Sequence, residues 1–202
     1  TAVSQLQTEK SPGIGGITSE FYKFFWYLIH EKYLKYINAV KNDGFSTFKN
    51  TSLTTLLYKN KGDINDLANY RPISLMNVDV KILTKALTNR LKQVLPSIIH
   101  YTQTAIADRK IFYTAHMIRD LIDLANNKEM EACFIFLDQE KAFDRVNHDF
   151  LYKCMKAFGI GEHFIHWVQI INFNASTRIK INGFLTENIL LKRGVKQGDP
   201  LS

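Results

Sequence analysis

The feature that most constrains this chain is a continuous apolar run, Ala132-Cys-Phe-Ile-Phe-Leu137, that stops abruptly at Asp138. Such a run fits a strand covered on both faces. A carboxylate at the end of a buried strand is costly unless it is paired or faces a cleft. Strand ends at a sheet rim are where ligands and metals are usually held. Asp138 therefore reads either as a metal ligand or as a cap in an ordinary turn. Phe143, five residues on, reads as an anchor for that turn or as the wall of a pocket. Glu140, Asp144 and Asp149 read as solvated acids.

The rest of the chain mixes helices and strands without regular alternation, which predicts an α+β fold. Lys10-Ser-Pro-Gly-Ile-Gly-Gly16 is a loop, and Thr18 or Ser19 caps the helix after it. Phe21, Phe24, Phe25, Leu28 and Ile29 recur at helical spacing in that helix, which reaches Val40. Leu53 to Tyr58 is a short strand ending in the Lys-rich turn Lys59-Asn-Lys61-Gly62-Asp63, either a solvated tip or a phosphate contact. Pro72 holds Arg71 in extended backbone, and a guanidinium there suits phosphate. Ile82, Leu83, Ala86, Leu87, Leu91, Val94 and Leu95 form one amphipathic stripe, closed or kinked at Pro96. Helices follow over Phe112–Asn127, over Asp149–Phe158 and from Glu162. Arg178–Ile181, Asn182-Gly183 and Ile189–Leu191 read as a β-hairpin.

Charge and cysteine usage narrow the function classes. The 202 residues carry a formal net charge of +7, which favours a polyanionic partner, nucleic acid before membrane. No stretch approaches the roughly 18 apolar residues of a membrane span. Cys133 and Cys154 make neither a metal spacing nor a disulfide framework and read as core residues. His163 and His166 share a helix face, but no further ligand joins them, so zinc is not expected. There is no Gly-x-Ser-x-Gly elbow, and the glycines of Gly194–Gly198 lack the P-loop order.

Taken in order, these segments resemble the blocks of one family. Lys10-Ser-Pro-Gly-Ile-Gly-Gly-Ile-Thr18 resembles the Lys-x-Pro-Gly-x-Asp-Gly signature of LINE-type reverse transcriptases. Leu56-Leu-Tyr-Lys-Asn-Lys-Gly-Asp63 resembles their first fingers motif, and Asn69-Tyr-Arg-Pro-Ile-Ser-Leu-Met-Asn77 with Lys81-Ile-Leu83 the second. Gln103-Thr-Ala-Ile-Ala-Asp-Arg109 resembles the Gln-x-Gly-Phe-x-x-Gly-Arg block. Phe136-Leu-Asp-Gln-Glu-Lys-Ala-Phe-Asp-Arg-Val146 resembles palm motif A, in wording closest to the vertebrate-type branch. Arg193-Gly-Val-Lys-Gln-Gly-Asp-Pro-Leu-Ser202 resembles motif B.

The resemblance implies a right-hand polymerase fold. Residues 1–50 would form a helical N-terminal extension, about 51–130 the fingers and about 131–202 an incomplete palm. It implies RNA-directed DNA synthesis with two magnesium ions. Asp138 matches the acid that binds both ions, and the Gln139 backbone carbonyl would complete one shell. Phe143 matches the steric gate against a ribose 2′-hydroxyl, and Arg71 the grip on the incoming triphosphate. Lys59 matches a lysine near template or phosphate, Gln197 and Gly198 the turn beside the nascent base pair, and Arg109 and Lys61 template contacts. Implied partners are an RNA template, a DNA primer, a deoxynucleoside triphosphate, and the rest of a retrotransposon polyprotein with endonuclease, remaining palm and thumb; no membrane is implied. By the same resemblance the setting is nuclear or nucleocytoplasmic.

There are departures. Gly15 stands where the signature has Asp, and Ala105 and Asp108 replace glycines. No aromatic-x-Asp-Asp motif C occurs in the 202 residues, so a fragment cut before motif C, inactive alone, is the expectation. Competing expectations are a non-catalytic nucleic-acid-binding relic of a decayed or host-recruited element, and a group II intron maturase.

Overall fold

The computed structural model of the chain describes residues 1–105 and 109–202, so Asp108 lies outside the described residues. The chain divides into two compact units, Thr1–Thr88 with Lys141–Ser202, and Asn89–Glu140. Among the described residues no helix is long and apolar enough to cross a membrane.

The first unit is built on a small mixed sheet. The strands are β1 (Thr51–Tyr58), β2 (Tyr70–Leu75), β3 (Ser176–Ile181), β4 (Phe184–Leu185) and β5 (Ile189–Leu190). Their order is β2-β1-β3-β4, with β5 also paired to β3. β1 and β2 are antiparallel, with Thr54 opposite Ser74 and Leu57 opposite Arg71. β1 and β3 are parallel, with Ser52 opposite Thr177 and Thr54 opposite Ile179. That central pairing is lined by hydroxyls: Thr51 Oγ1 meets Ser176 Oγ at 2.8 Å, and Thr54 Oγ1 meets Thr177 Oγ1 at 2.7 Å. These polar groups are buried but mutually satisfied, so the seam costs little. The Asn182-Gly183 turn forms as expected, both residues at positive φ, the geometry that matches strand twist. Arg71 lies in extended backbone, as Pro72 requires.

Seven α-helices are described: α1 (Ser19–Asp43), α2 (Thr47–Asn50), α3 (Val78–Ile98), α4 (Ile111–Asn127), α5 (Ala142–Arg145), α6 (His148–Ala157) and α7 (Glu162–Asn172). Helix α1 starts after Thr18 and stops at Gly44, whose positive φ lets its N–H bond the Val40 carbonyl at 2.8 Å. Its buried face takes only part of the apolar stripe read from the sequence: Ile29 packs against the core. Tyr22, Ile37 and Val40 point inward, whereas Phe21, Phe24 and Leu28 are exposed. The aromatic residues on the inward side decide it. Tyr22 packs with Val3, Leu6, Val78 and Ile82, flanked by Trp26 and Tyr33, and the Tyr33 hydroxyl donates to the Asp79 carbonyl at 2.8 Å. Ile37 joins Leu83, Leu87 and Ile171, and α6 meets α7 through Met155, Ile165 and Val168.

The glycine-rich loop before α1 is held against the segment after β2. A Cβ on Gly13 would overlap the backbone of Met76 and Asn77. The Gly15 N–H donates to Asn77 Oδ1 at 2.8 Å. A side chain at position 13 would keep these two backbones apart.

The second unit holds the end of α3, then α4. The Arg109 guanidinium gathers four carbonyls there: His100 at 2.6 Å, Gln103 at 2.9 Å, Ile99 at 3.0 Å and Pro96 at 3.3 Å. It thus satisfies acceptors that a helix end leaves open. Helix α4 forms where the periodicity predicts it, yet Leu121 and Ile122 remain exposed. The larger correction is the apolar run Ala132–Leu137. It is irregular rather than a strand, and Phe136 and Leu137 are 84% and 91% exposed. A strand needs neighbours for its N–H and C=O groups, and no described strand pairs with this run. Cys133 is consequently exposed rather than in a core, while Cys154 is half-buried; both are free.

Candidate functional site

Alternation along the strands puts Thr54, Pro72, Ser74, Thr177 and Ile179 on one face of the sheet. Over that face lies a cleft of about 270 Å³. Its other wall is the Arg193–Gln197 segment, with Asp144 at the side. The segments that resemble motif B and the last part of motif A therefore share one cavity with the segment that resembles the second fingers motif.

Backbone bonds fix that arrangement. The Val195 N–H donates to the Phe143 carbonyl and the Gly194 N–H to the Val146 carbonyl, each at 2.8 Å. The Gly194 carbonyl meets His148 Nε2 at 2.8 Å. On the far side, the Ser74 N–H of β2 donates to the Gln197 carbonyl at 2.8 Å. Two glycines make these approaches possible. A Cβ on Gly194 would come within 3.0 Å of the Phe143 and Asp144 backbone, and one on Gly198 within 2.9 Å of the Ser74 carbonyl. Both have positive φ, so a side chain there is strained as well as crowded.

Beneath the turn, charged groups point inward. Lys196 Nζ donates to Asn50 Oδ1 at 3.1 Å and to the Asn50 carbonyl at 3.3 Å. Asn50 is 1% exposed and spends its amide protons on the carbonyls of Ile171 and Phe173. Desolvation pulls the Lys196 ammonium down to about 8, with Asp199 opposing. Desolvation pushes the Asp199 carboxyl up, against the Leu201 N–H, Thr84, Lys196 and Lys81. Lys81 is lowered by its own desolvation, again against Asp199. The sequence reading missed this cluster. Its only signal was a lysine and an aspartate flanking a glycine-bearing turn, a pattern that solvated loops also show.

The predicted site residues are distributed unevenly. Gln197 lines the cleft, Gly198 approaches β2, and Phe143 contributes its carbonyl to the joint, its ring half-exposed. Arg71 is exposed on edge strand β2, on the opposite face from neighbouring Pro72. Lys59 donates its ammonium to the Ala68 carbonyl at 2.8 Å, tying down the β1–β2 hairpin, while Lys61 is exposed at its tip. Arg109 is engaged at the α3 terminus. Asp138 and Gln139 lie in the second unit, exposed and in irregular backbone.

Asp138 and the Gln139 carbonyl are hard oxygen donors of the type magnesium takes. One carboxylate is far from an octahedral set, however, and the described residues contain no group of three His, Cys, Asp or Glu that could hold a metal. These residues alone do not fit a magnesium site.

Comparison with known proteins decides the family of the chain. The model of the reverse transcriptase (RNA-dependent DNA polymerase) family matches residues 58–202, well over half of the chain. The chain belongs to the reverse transcriptase family. A relative in Xenopus laevis, the Transposon TX1 uncharacterized 149 kDa protein, is 36% identical over all 202 residues. The Pol polyproteins of the R2 retrotransposable elements of Popillia japonica and Drosophila melanogaster are 28% and 33% identical over 75% and 66% of the chain. The non-LTR retrotransposon resemblance read from the motifs is thus what the relatives show. The chain spans only 15%, 21% and 12% of the lengths of these three proteins.

Proposed function

We propose that this reverse transcriptase domain is the fingers and part of the palm of a right-hand, RNA-directed DNA polymerase from a LINE-type element, and that the cleft under the motif B turn holds the nascent base pair. The observation that carries this reading is the joint itself. The Phe143 turn and the Gly194–Gly198 turn share backbone hydrogen bonds, and the same motif B turn docks on β2 at Ser74, on the strand whose opposite face carries Arg71. A polymerase needs those three parts in fixed register, because orientation is most of what it supplies to phosphoryl transfer.

In this reading Gln197 and Gly198 present an unobstructed floor to the new base pair. Phe143 stands where a ribose 2′-hydroxyl would collide. Arg71 supplies a planar fork for triphosphate oxygens once a nucleotide approaches the edge strand. Lys59 stiffens the hairpin that carries Lys61 toward phosphate. Arg109 orders the end of α3, and any template contact it makes uses edges of a guanidinium already placed. The first 50 residues serve as the extension that backs the fingers, with the palm running from about 131.

Reverse transcriptases generally use magnesium, which neutralises charge on the transferred phosphate. Asp138 is one hard oxygen donor of the type that ion takes, and alone it does not make a site. The partners of the longer protein are an RNA template, a DNA primer and the remaining parts of the polyprotein. A primer-extension assay with magnesium tests the reading: the isolated 202-residue chain is expected to add no nucleotides. Processive DNA synthesis by it would overturn the reading that one carboxylate does not suffice.

A further inference from the structure

We propose that Lys196 and Asp199 are positioning residues: inserted beneath the motif B turn from either side of Gln197-Gly198, they act as a hydrogen-bonded latch that keeps the Gln197 carbonyl docked on β2. The consequence for nucleotide binding rests on the cleft reading above; the latch itself does not.

Three observations carry it. First, the turn's backbone bonds to other segments run sideways, to Phe143 and Val146 on one flank and to Ser74 on the other, and Leu201 beyond it packs on the core of α3 and α7. Second, the two charged side chains reach partners from elements distant in sequence. Lys196 ends on both oxygens of buried Asn50, at the α2–β1 junction, and Asn50 is itself fixed to the last turn of α7 and its exit. Asp199 accepts the Leu201 N–H at 3.1 Å and faces Thr84 and Lys81 on α3. The latch thus ties the turn to α3, α7 and the start of β1. Third, the charge is not what simple burial would select. Desolvating a lysine and an aspartate opposes folding, and apolar side chains of similar volume often hold a fold as well or better. A charged pair in such a place serves register, because it tolerates one geometry where apolar packing tolerates several.

A switch follows from the same geometry. The groups facing Lys196 are Asp199, with Lys81 beyond it, and the uncharged oxygens of Asn50. Burial costs the Lys196 ammonium more than Asp199 returns, so the docked turn holds that proton less tightly than an undocked one. The docked value, about 8, lies below the ordinary 10.5, so rising pH between the two favours docking, and folding with it, through this group. The neutral amine keeps N–H donors for the two Asn50 oxygens.

The Ser74 amide is the reporter, since it donates to the Gln197 carbonyl. Amide hydrogen exchange on the 202-residue chain, with Ser74 expressed relative to amides of the β1–β3 ladder, cancels the intrinsic pH dependence. In the unmodified chain relative Ser74 protection is expected to rise at least about tenfold as pH climbs from about 8 toward 10.5. Lys196→Met should remove that pH step and leave Ser74 open at pH 7, while Lys196→Arg retains protection and shifts the step out of range. Protection that is flat from pH 7 to 9.5 in the unmodified chain would overturn the latch without needing any variant to fold. So would a Lys196→Met chain with native ladder protection and a native Ser74. No nucleotide enters this experiment, so its failure leaves the cleft reading standing, and failure of nucleotide binding leaves the latch standing.

Discussion

The two halves of motif A's neighbourhood behave in opposite ways. The turn at Phe143 is bonded to motif B, which is docked on β2 and underlain by Asn50, Lys196 and Asp199. The run at Ala132–Leu137, a few residues earlier, has the more apolar sequence and yet lies open to solvent without a strand partner. Apolar content decides what a segment would bury if covered; it does not supply the cover. The turn is ordered because its hydrogen-bond acceptors and donors are all within the first unit. The run belongs to the second unit, where no described strand meets it.

Perturbing each region should expose this contrast. Asn50→Ala removes the carboxamide that holds Lys196 Nζ and the Ile171 and Phe173 carbonyls. Leaving those groups unpaired is expected to cost about 3 kcal/mol, read as a lower midpoint in urea denaturation at unchanged slope. Arg109→Ala strips four carbonyls of their donor at the end of α3 in the second unit. Because that region is exposed and water replaces the guanidinium, the expected loss is about 1 kcal/mol. It should appear in the exchange of amides near Pro96–His100 and not in those of β1. Leu137→Ser, a change that would be severe in a buried strand, is expected to alter stability by less than about 0.5 kcal/mol, because the residue is already in water. A loss of several kcal/mol for Leu137→Ser would mean that the run is covered in solution, and the contrast would dissolve.

The same contrast explains what was legible in the sequence. Helices α3, α4, α6 and α7 and the Asn182-Gly183 hairpin follow from local periodicity and turn chemistry, and they formed near where those signals place them. What failed needed non-local information. The buried side of α1 depended on Val3, Leu6 and Val78, so Tyr22 and Trp26 won over Phe21 and Phe24. The parallel pairing of β1 with β3 joins segments more than a hundred residues apart, with a hydroxyl seam that reads as polar in sequence. The ordered motifs identified the family and singled out Gln197 and Gly198. They were silent on Lys196 and Asp199, because whether a lysine in a turn faces water or Asn50 depends on what lies beneath the turn. The motif A strand was read from residues that require neighbours the described sheet does not contain.

The central claim is that the cleft between β2 and the motif B turn receives the nucleotide. The most direct test is a titration of the isotope-labelled 202-residue chain with a deoxynucleoside triphosphate and magnesium, followed by amide NMR. Shifts concentrated at Ser74, Val195 and Gln197, with spreading to Arg71 as the triphosphate is engaged, are the expected result. Shifts confined to residues 130–140, or saturable binding that leaves Ser74 and Gln197 unmoved, would contradict it.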